Sequence, residues 1–366
     1  MILRNLSIIN YKNIQQANLT FSPKLNCFVG NNGVGKTNLL DAIYYLSFCR
    51  SSFSQTNQHV IRHEQDTMIL QGIYDTPNGD EINIYCGLKN GRRKTFKKNG
   101  KEYTKFSEHI GLIPLVIVSP DDNELILGTG EPRRKFMDTT ISQYSPSYLQ
   151  HLIAYNHTLQ QRNALLKADT QPDETLLTAY DKLLAQYGNE IFVQRKEFID
   201  NFIPLFNKVY SQLGNTDENV ALTYHSHLMD QDFFRLLQSH HAKDYIVGHT
   251  LKGIHRDDFE MTLNNYPIRY EGSQGQSKSF LTALRLAQYL YLRQTIQIRT
   301  PLLLLDDIFD KLDSQRVERI IKIVSSSDYG QIFITSTSNE TLRQVILQST
   351  HDYCFFTVNN GTYEAS

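Results

Sequence analysis

Gly30-Asn31-Asn32-Gly33-Val34-Gly35-Lys36-Thr37 fits G-x-x-x-x-G-K-[ST], the loop that cradles the phosphates of nucleoside triphosphates. Each residue type has a task there. The glycines let successive backbone N–H groups turn onto the phosphates, Lys36 reaches the β and γ oxygens, and Thr37 offers its hydroxyl to Mg2+. Gly30, Asn31, Asn32, Gly33, Val34, Gly35, Lys36 and Thr37, with Asn38 after them, are therefore the candidate nucleotide contacts. The loop works only between a strand and a helix. Residues 25–29 are a short β-prone run and residues 38–46 have helical apolar spacing, so both flanks are predicted. That helix would aim the positive end of its dipole at the phosphates. A Gly/Asn turn before an ordinary helix is the competing reading, and the correct flanks weigh against it.

A chain of 366 residues that is 40% hydrophobic and 20% charged has room for a large core and two domains. Its net charge of -1 excludes a protein that coats nucleic acid through overall positive charge, so such binding needs a local patch. Cys27, Cys49, Cys86 and Cys354 form no C-x-x-C pair, which fits a reducing cytoplasm better than a disulfide scaffold or a zinc site. No apolar run approaches the ~20 residues of a membrane span.

Working outward, residues 3–9 and 17–21 predict a hairpin ahead of the loop, and residues 68–74, 81–88 and 92–98 predict three further strands. Together they make an antiparallel lobe. The third strand lies in a basic stretch, 89–101, that holds no acid until Glu102. As a strand it would put Arg93 and Lys97 on one face and Arg92, Lys94, Phe96 and Lys98 on the other, a solvated ribbon suited to phosphate contact or to protecting a sheet edge. Residues 50–57 are polar and Ser-rich, a candidate mobile segment. Residues 112–118 predict a buried parallel strand. From 119 to 248 the periodicity is helical, broken at several prolines including Pro204, with one strand near 220–224. This predicts an α/β ATPase domain of residues 1–118 and 249–366, interrupted by a mostly helical inserted domain of residues 119–248. Arg133 and Arg134 stand in the first turn of one helix, where the dipole disfavours cations, so they mark either an anionic partner or an open face. His225, His227, His240 and His241 lack a carboxylate or cysteine at matching spacing and predict no metal site.

Two further stretches carry chemistry. Ser273-Gln274-Gly275-Gln276 opens a long amphipathic helix, either as a simple N-cap or as a second set of anion-binding donors. Leu302-Leu303-Leu304-Leu305-Asp306-Asp307 is a strand buried on both faces that ends in adjacent carboxylates. Mg2+ and an attacking water are their natural occupants, Asp306 holding the metal with Thr37 and Asp307 orienting the water, with Lys36 on the phosphates. Residues 331–335 predict one more buried strand, and 352–358 with 362–364 a closing hairpin.

These pieces in this order resemble the ATPase heads of the ABC and SMC superfamily, and within it the RecF family. The resemblance rests on Asn10-Tyr11-Lys12-Asn13, the loop itself, Phe48-Cys49-Arg50-Ser51-Ser52-Phe53, Ser119-Pro120-Asp121-Asp122, Pro132-Arg133-Arg134, Gly253-Ile254-His255-Arg256-Asp257-Asp258, Ser273-Gln274-Gly275-Gln276 and Leu305-Asp306-Asp307. It implies an α/β P-loop ATPase head with an antiparallel β lobe and no long coiled coil. It adds Lys12 to the nucleotide contacts, and it makes Ser273, Gly275 and Gln276 a signature loop that meets the ATP of a second subunit. Lys311-Leu312-Asp313 would touch across the same interface. It further implies an ATP-dependent homodimer that binds duplex and gapped DNA, a weak DNA-dependent ATPase used as a switch, and action with RecR and RecO to help load RecA in repair, replication and the SOS response. Arg92, Arg93, Lys97, Lys98, Arg133 and Arg134 are the DNA-contact candidates. The chain departs from the wider superfamily where Asp307 replaces the usual glutamate, which fits slow turnover, and where Ser336-Thr337 replaces the switch histidine. No convincing glutamine follows Ser119-Pro120 to serve as the metal-linked glutamine loop. A peripheral ATPase subunit of a transporter is the alternative function.

Overall fold

The computed structural model describes residues 1–54, 57–168, 173–214, 218–309, 314–337, 340–350 and 352–365. The expected cross-interface stretch Lys311-Leu312-Asp313 lies outside them.

The chain opens with the expected hairpin, β1 (Ile2–Tyr11) and β2 (Ile14–Thr20), turned at Lys12-Asn13. β3 (Leu25–Val29) enters the glycine loop and α1 (Lys36–Phe48) leaves it. β4 (Thr67–Asp75), β5 (Glu81–Lys89), β6 (Thr95–Lys98) and β7 (Lys101–Glu102) extend the hairpin into an antiparallel sheet of order β2-β1-β4-β5-β6-β7. β4 and β5 alternate buried and half-exposed residues, as a sheet covered on one face requires. The basic strand is shorter than expected. Arg92, Arg93 and Lys94 precede β6, and Lys94 turns inward, its ammonium on Cys49 O and 5.0 Å from the centres of both the Tyr45 and Phe106 rings.

β8 (Leu115–Val118) is followed by α2 (Asn123–Leu127), α3 (Gly130–Ile141), α4 (Pro146–Leu166) and α5 (Glu174–Gln212). α5 continues through Pro204, where a break was expected. Phe198, Phe202 and Phe206 stack in sequence along one face of α5, with ring centres 5.1 and 6.4 Å apart. Burying three large aromatics outweighs the ~3 kcal/mol that an interior proline costs a helix. Next come β9 (Val220–His225), α6 (Phe233–Ser239), α7 (His241–Val247), β10 (Asp258–Leu263) and β11 (Tyr266–Pro267). These three strands form an antiparallel sheet of order β11-β10-β9. α8 (Ile268–Glu271), α9 (Gln274–Thr295), β12 (Leu302–Leu305), α10 (Ser314–Ser325), β13 (Ile332–Ser336), α11 (Glu340–Ser349), β14 (Tyr353–Asn359) and β15 (Thr362–Ala365) complete the chain.

Contacts divide the molecule into two units. The first comprises Met1–Asp122, Val209–Gly214 and Thr282–Ser366, and the second Asn123–Lys208 and Asn215–Leu281. The second therefore takes in β10 and β11 with the helices, because β9 pairs with β10 along its whole length. In the first unit a second sheet has the order β15-β14-β3-β13-β12-β8, parallel except for the edge strand β15. Every residue of β8, β12 and β13 is buried, the signature of parallel strands covered on both faces. α1 touches β1, β4 and β5 of one sheet and β8 and β13 of the other. It is buried on all sides from Leu39 to Phe48, so the helix that carries the loop has no freedom to tilt. Among the described residues no helix is long and apolar enough to cross a membrane.

Candidate nucleotide-binding site

The parallel sheet brings three strand ends together. β3 releases the glycine loop, the adjacent β13 ends at Ser336, and β12 beyond it ends just before Asp306-Asp307. Thr37, at the start of α1, donates its hydroxyl to Asp306 Oδ1 at 2.9 Å. Thr335 on β13 donates to the same oxygen at 2.7 Å and accepts the Asp307 N–H at 2.9 Å. One threonine thus fixes the side chain of one acid and the backbone of the next. Asp307 lies at a φ of 47°, a left-handed conformation that Asp tolerates better than most residues. Burial pushes the Asp306 carboxyl up to about 6, the Asp307 charge adds to the shift, and the two threonine donors and Lys36 hold it back.

The loop is shaped by close approaches. Gly33 and Gly35 have φ values of 80° and 114°, which favour glycine. A Cβ on Gly30 would lie 2.4 Å from the Val358 carbonyl oxygen, so no larger residue fits there without moving backbone. Lys36 is buried, and its ammonium donates to Gly30 O at 2.8 Å and Asn31 O at 2.9 Å. Asn38 donates to Asn13 Oδ1 at 2.7 Å, and Asn13 reaches Gly33 O at 3.4 Å. Asn31, Asn32 and Gly33 are exposed, and Val34 is half-buried.

Lys12 stands beside this site in a buried cluster. Its ammonium is 2.6 Å from Asp41 Oδ2, which also accepts from the Tyr11 hydroxyl at 2.7 Å and Ser51 Oγ at 2.6 Å. The Ser52 N–H donates to Asp41 Oδ1 at 2.7 Å, so residues 51–52, expected in a mobile segment, are tied to α1.

Of the other expected residues, Ser273 and Gln276 bond reciprocally, Ser273 N–H to Gln276 Oε1 at 2.8 Å and Gln276 N–H to Ser273 Oγ at 3.2 Å. This is a capping box at the start of α9, with Gly275 inside it. Arg133, expected to meet an anionic partner or to stand on an open face, makes a two-pronged pair with Asp258 at 2.5 and 2.8 Å and donates also to Leu125 O and Gly128 O. Arg134 donates to Asp257 O at 2.8 Å. Arg92 and Arg93 are exposed at the ribbon turn, while Lys97 and Lys98 are half-buried. Thr335, Asn13 and Asp41 were not singled out from the sequence. The one available signal for them was position, Thr335 ending a buried strand and Asn13 closing the Asn-Tyr-Lys-Asn stretch.

The arrangement offers backbone donors, a lysine and a hydroxyl–carboxylate pair at one place. Thr37 and Asp306 supply hard oxygen atoms within 2.9 Å of each other, a donor set that fits Mg2+ completed by water and phosphate.

The profile of the RecF/RecN/SMC N terminal domain family matches residues 2–362. The chain is 50% identical over 361 residues to the DNA replication and repair protein RecF of Phocaeicola vulgatus, a match that spans 99% of this chain and 97% of that one. RecF of Bacteroides thetaiotaomicron is likewise 50% identical over 361 residues, spanning 99% and 98% of the two chains. Among solved structures the chain is similar to one described as the recombination mediator protein RecF-ATP in the RecFOR pathway, with a TM-score of 0.89, 28% identity and coverage of 100% and 97%. The Smc head domain from Pyrococcus furiosus, at a TM-score of 0.59, 15% identity and coverage of 100% and 96%, shares the fold.

Proposed function

The chain belongs to the RecF family, within the RecF/RecN/SMC group, and on that premise we propose that it is an ATP-controlled DNA-binding protein of recombinational repair and replication. The observation that carries the reading is the 2.9 Å bond that joins the loop threonine to the first of the two strand-end carboxylates, because a glycine-loop threonine beside such an acid is the pair that holds Mg2+ on nucleotide phosphates. ATP is the favoured nucleotide, since a similar RecF structure is described as an ATP complex.

In this reading the loop N–H groups and the α1 N-terminus bind the phosphates, and Lys36 leaves the Gly30 and Asn31 carbonyls for the β and γ oxygens. Thr37 and Asp306 would hold Mg2+, which when bound neutralises phosphate charge. Asp307 orients the attacking water. Ser273, Gly275 and Gln276 act on the nucleotide of a second copy, their capping box presenting the α9 N-terminus to the γ-phosphate. Two copies of the chain then enclose two nucleotides, and hydrolysis removes the bridging phosphate. The relatives are named as DNA replication and repair proteins, which favours this over a transporter subunit. RecR and RecO as partners, a role in RecA loading and a cytoplasmic location follow from the same family reading.

The DNA contact is carried by Arg92, Arg93, Lys97 and Lys98, since the Arg133 donors are taken up within the chain. Sizing and duplex-binding measurements with ATP, with ADP and without nucleotide test the proposal. A dimer that grips DNA in ATP alone is expected; a monomer that ignores DNA in saturating Mg-ATP would overturn it. Replacing the four ribbon cations by alanine is expected to weaken binding and to lower the slope of log K against log salt by about 3.6. An unchanged slope would move the DNA contact elsewhere.

A further inference from the structure

Three carbonyls of the glycine loop are held from outside the loop. Gly33 O accepts from Asn13 at 3.4 Å, Val34 O from the Gly361 N–H at 2.8 Å, and Gly35 O from the Tyr363 hydroxyl at 3.0 Å beside the α1 bond from the Leu39 N–H at 3.1 Å. A trans peptide plane is rigid, so a carbonyl pinned to one side sends the N–H of the next residue to the other. The pinned planes carry the N–H groups of Val34, Gly35 and Lys36. Holding these planes fixes where three successive donors point, and a concave row of donors is what a phosphate group needs.

Two of the three pins come from one place, the turn between β14 and β15 and the first residues of β15. Asn360 and Gly361 have φ values of 44° and 79°, the pattern of a tight hairpin turn. A Cβ on Gly361 would sit 2.8 Å from Asn13 O in the β1–β2 turn, and one on Gly30 would sit 2.4 Å from Val358 O, so the hairpin meets that turn at one point and the glycine loop at another. The Tyr363 ring packs edge-on against Phe28, with centres 6.3 Å apart. Its burial pushes the phenol well above its ordinary range, which keeps the hydroxyl protonated and able to donate.

We propose that the β14–β15 hairpin belongs to the nucleotide site, with Tyr363 and the Gly361 N–H as positioning groups that orient the loop amides before phosphate arrives. This rests on the reading of the loop as an ATP site. Neither group touches the phosphates. Their effect is on the shape of the cradle, and so on the part of the nucleotide that ATP and ADP share.

Tyr363→Phe removes one hydroxyl and keeps the ring against Phe28. ATP and ADP dissociation constants, the turnover at saturating ATP and the thermal midpoint without nucleotide should be measured for both proteins. We expect both dissociation constants to rise by about threefold to tenfold, as loss of one hydrogen bond to a pre-set cradle would give, with turnover and midpoint kept. Dissociation constants equal to those of the wild type overturn the proposal. A lowered midpoint with unchanged affinity in the folded fraction also overturns it, because the hairpin is then only structural. Wild-type protein that fails to bind ATP overturns the nucleotide reading itself, and the role of the hairpin with it.

Discussion

Asp307→Asn binds Mg-ATP with near wild-type affinity and hydrolyses it about 100-fold more slowly or worse, the loss expected when a positioned proton acceptor is removed. The substitution is conservative in every respect but the one at issue. Asn shares with Asp its tolerance of a left-handed backbone, so the φ of 47° and the N–H bond to Thr335 are both kept. Asp306, Thr37 and Lys36 are untouched, and so is the affinity they set. With the γ-phosphate retained, the proposed two-copy state should accumulate in ATP, which sizing reads directly. Single-turnover hydrolysis at the wild-type rate would remove Asp307 from the chemistry. Loss of ATP binding would instead mean that the backbone at 307 had rearranged.

What the sequence discloses follows from how local each arrangement is. The loop 30–37 is legible because its chemistry is contiguous, and Asp306-Asp307 because two acids at the end of a buried leucine strand call for a ligand. Thr335 stays hidden, since its role depends on β12 and β13 being parallel neighbours that set Leu305 opposite Ile334. Tyr363 is hidden for the same reason on the other side, its target lying 328 residues earlier in the chain. Lys94 shows how a charge misleads. The two-residue period sets it on the side of Phe96, and both are buried, the Lys94 ammonium on Cys49 O at the end of α1 and against two aromatic rings. The cations at the start of α3 suggest from sequence an anionic partner or an open face. For Arg133 that anion is Asp258, from β10 of the same unit, which no spacing argument could reach.

Arg195→Met is expected to destabilise the helical unit by about 3–5 kcal/mol, the usual cost of breaking a buried ion pair from one side. Arg195 on α5 is 1% exposed and uses both prongs. Its guanidinium donates to Asp138 Oδ1 at 2.8 Å from α3, to Asp257 Oδ2 at 2.8 Å and to Ile254 O at 2.7 Å, and it meets the Tyr148 hydroxyl at 3.0 Å from α4. Tyr224 from β9 donates to Asp257 as well, at 2.5 Å. Five segments are therefore referred to one side chain. Methionine fills much of the volume but leaves the fully buried Asp257 without its cation. Burial already raises the Asp257 carboxyl above its ordinary value, and Arg195 is the main influence that pulls it back, so the variant must raise it further. A carboxyl whose folded pKa lies above its unfolded one favours folding at low pH, and that contribution is lost as pH rises through the folded pKa. The deficit of Arg195→Met relative to wild type should thus be smaller at pH 5 than at pH 8. Adding Asp257→Asn should recover part of the loss at pH 8, where the buried charge is the cause, and little at pH 5. Urea unfolding followed by helical dichroism at the two pH values checks both. A loss below about 1 kcal/mol, or a deficit that does not change with pH, would mean that packing rather than the ion network holds these five segments together.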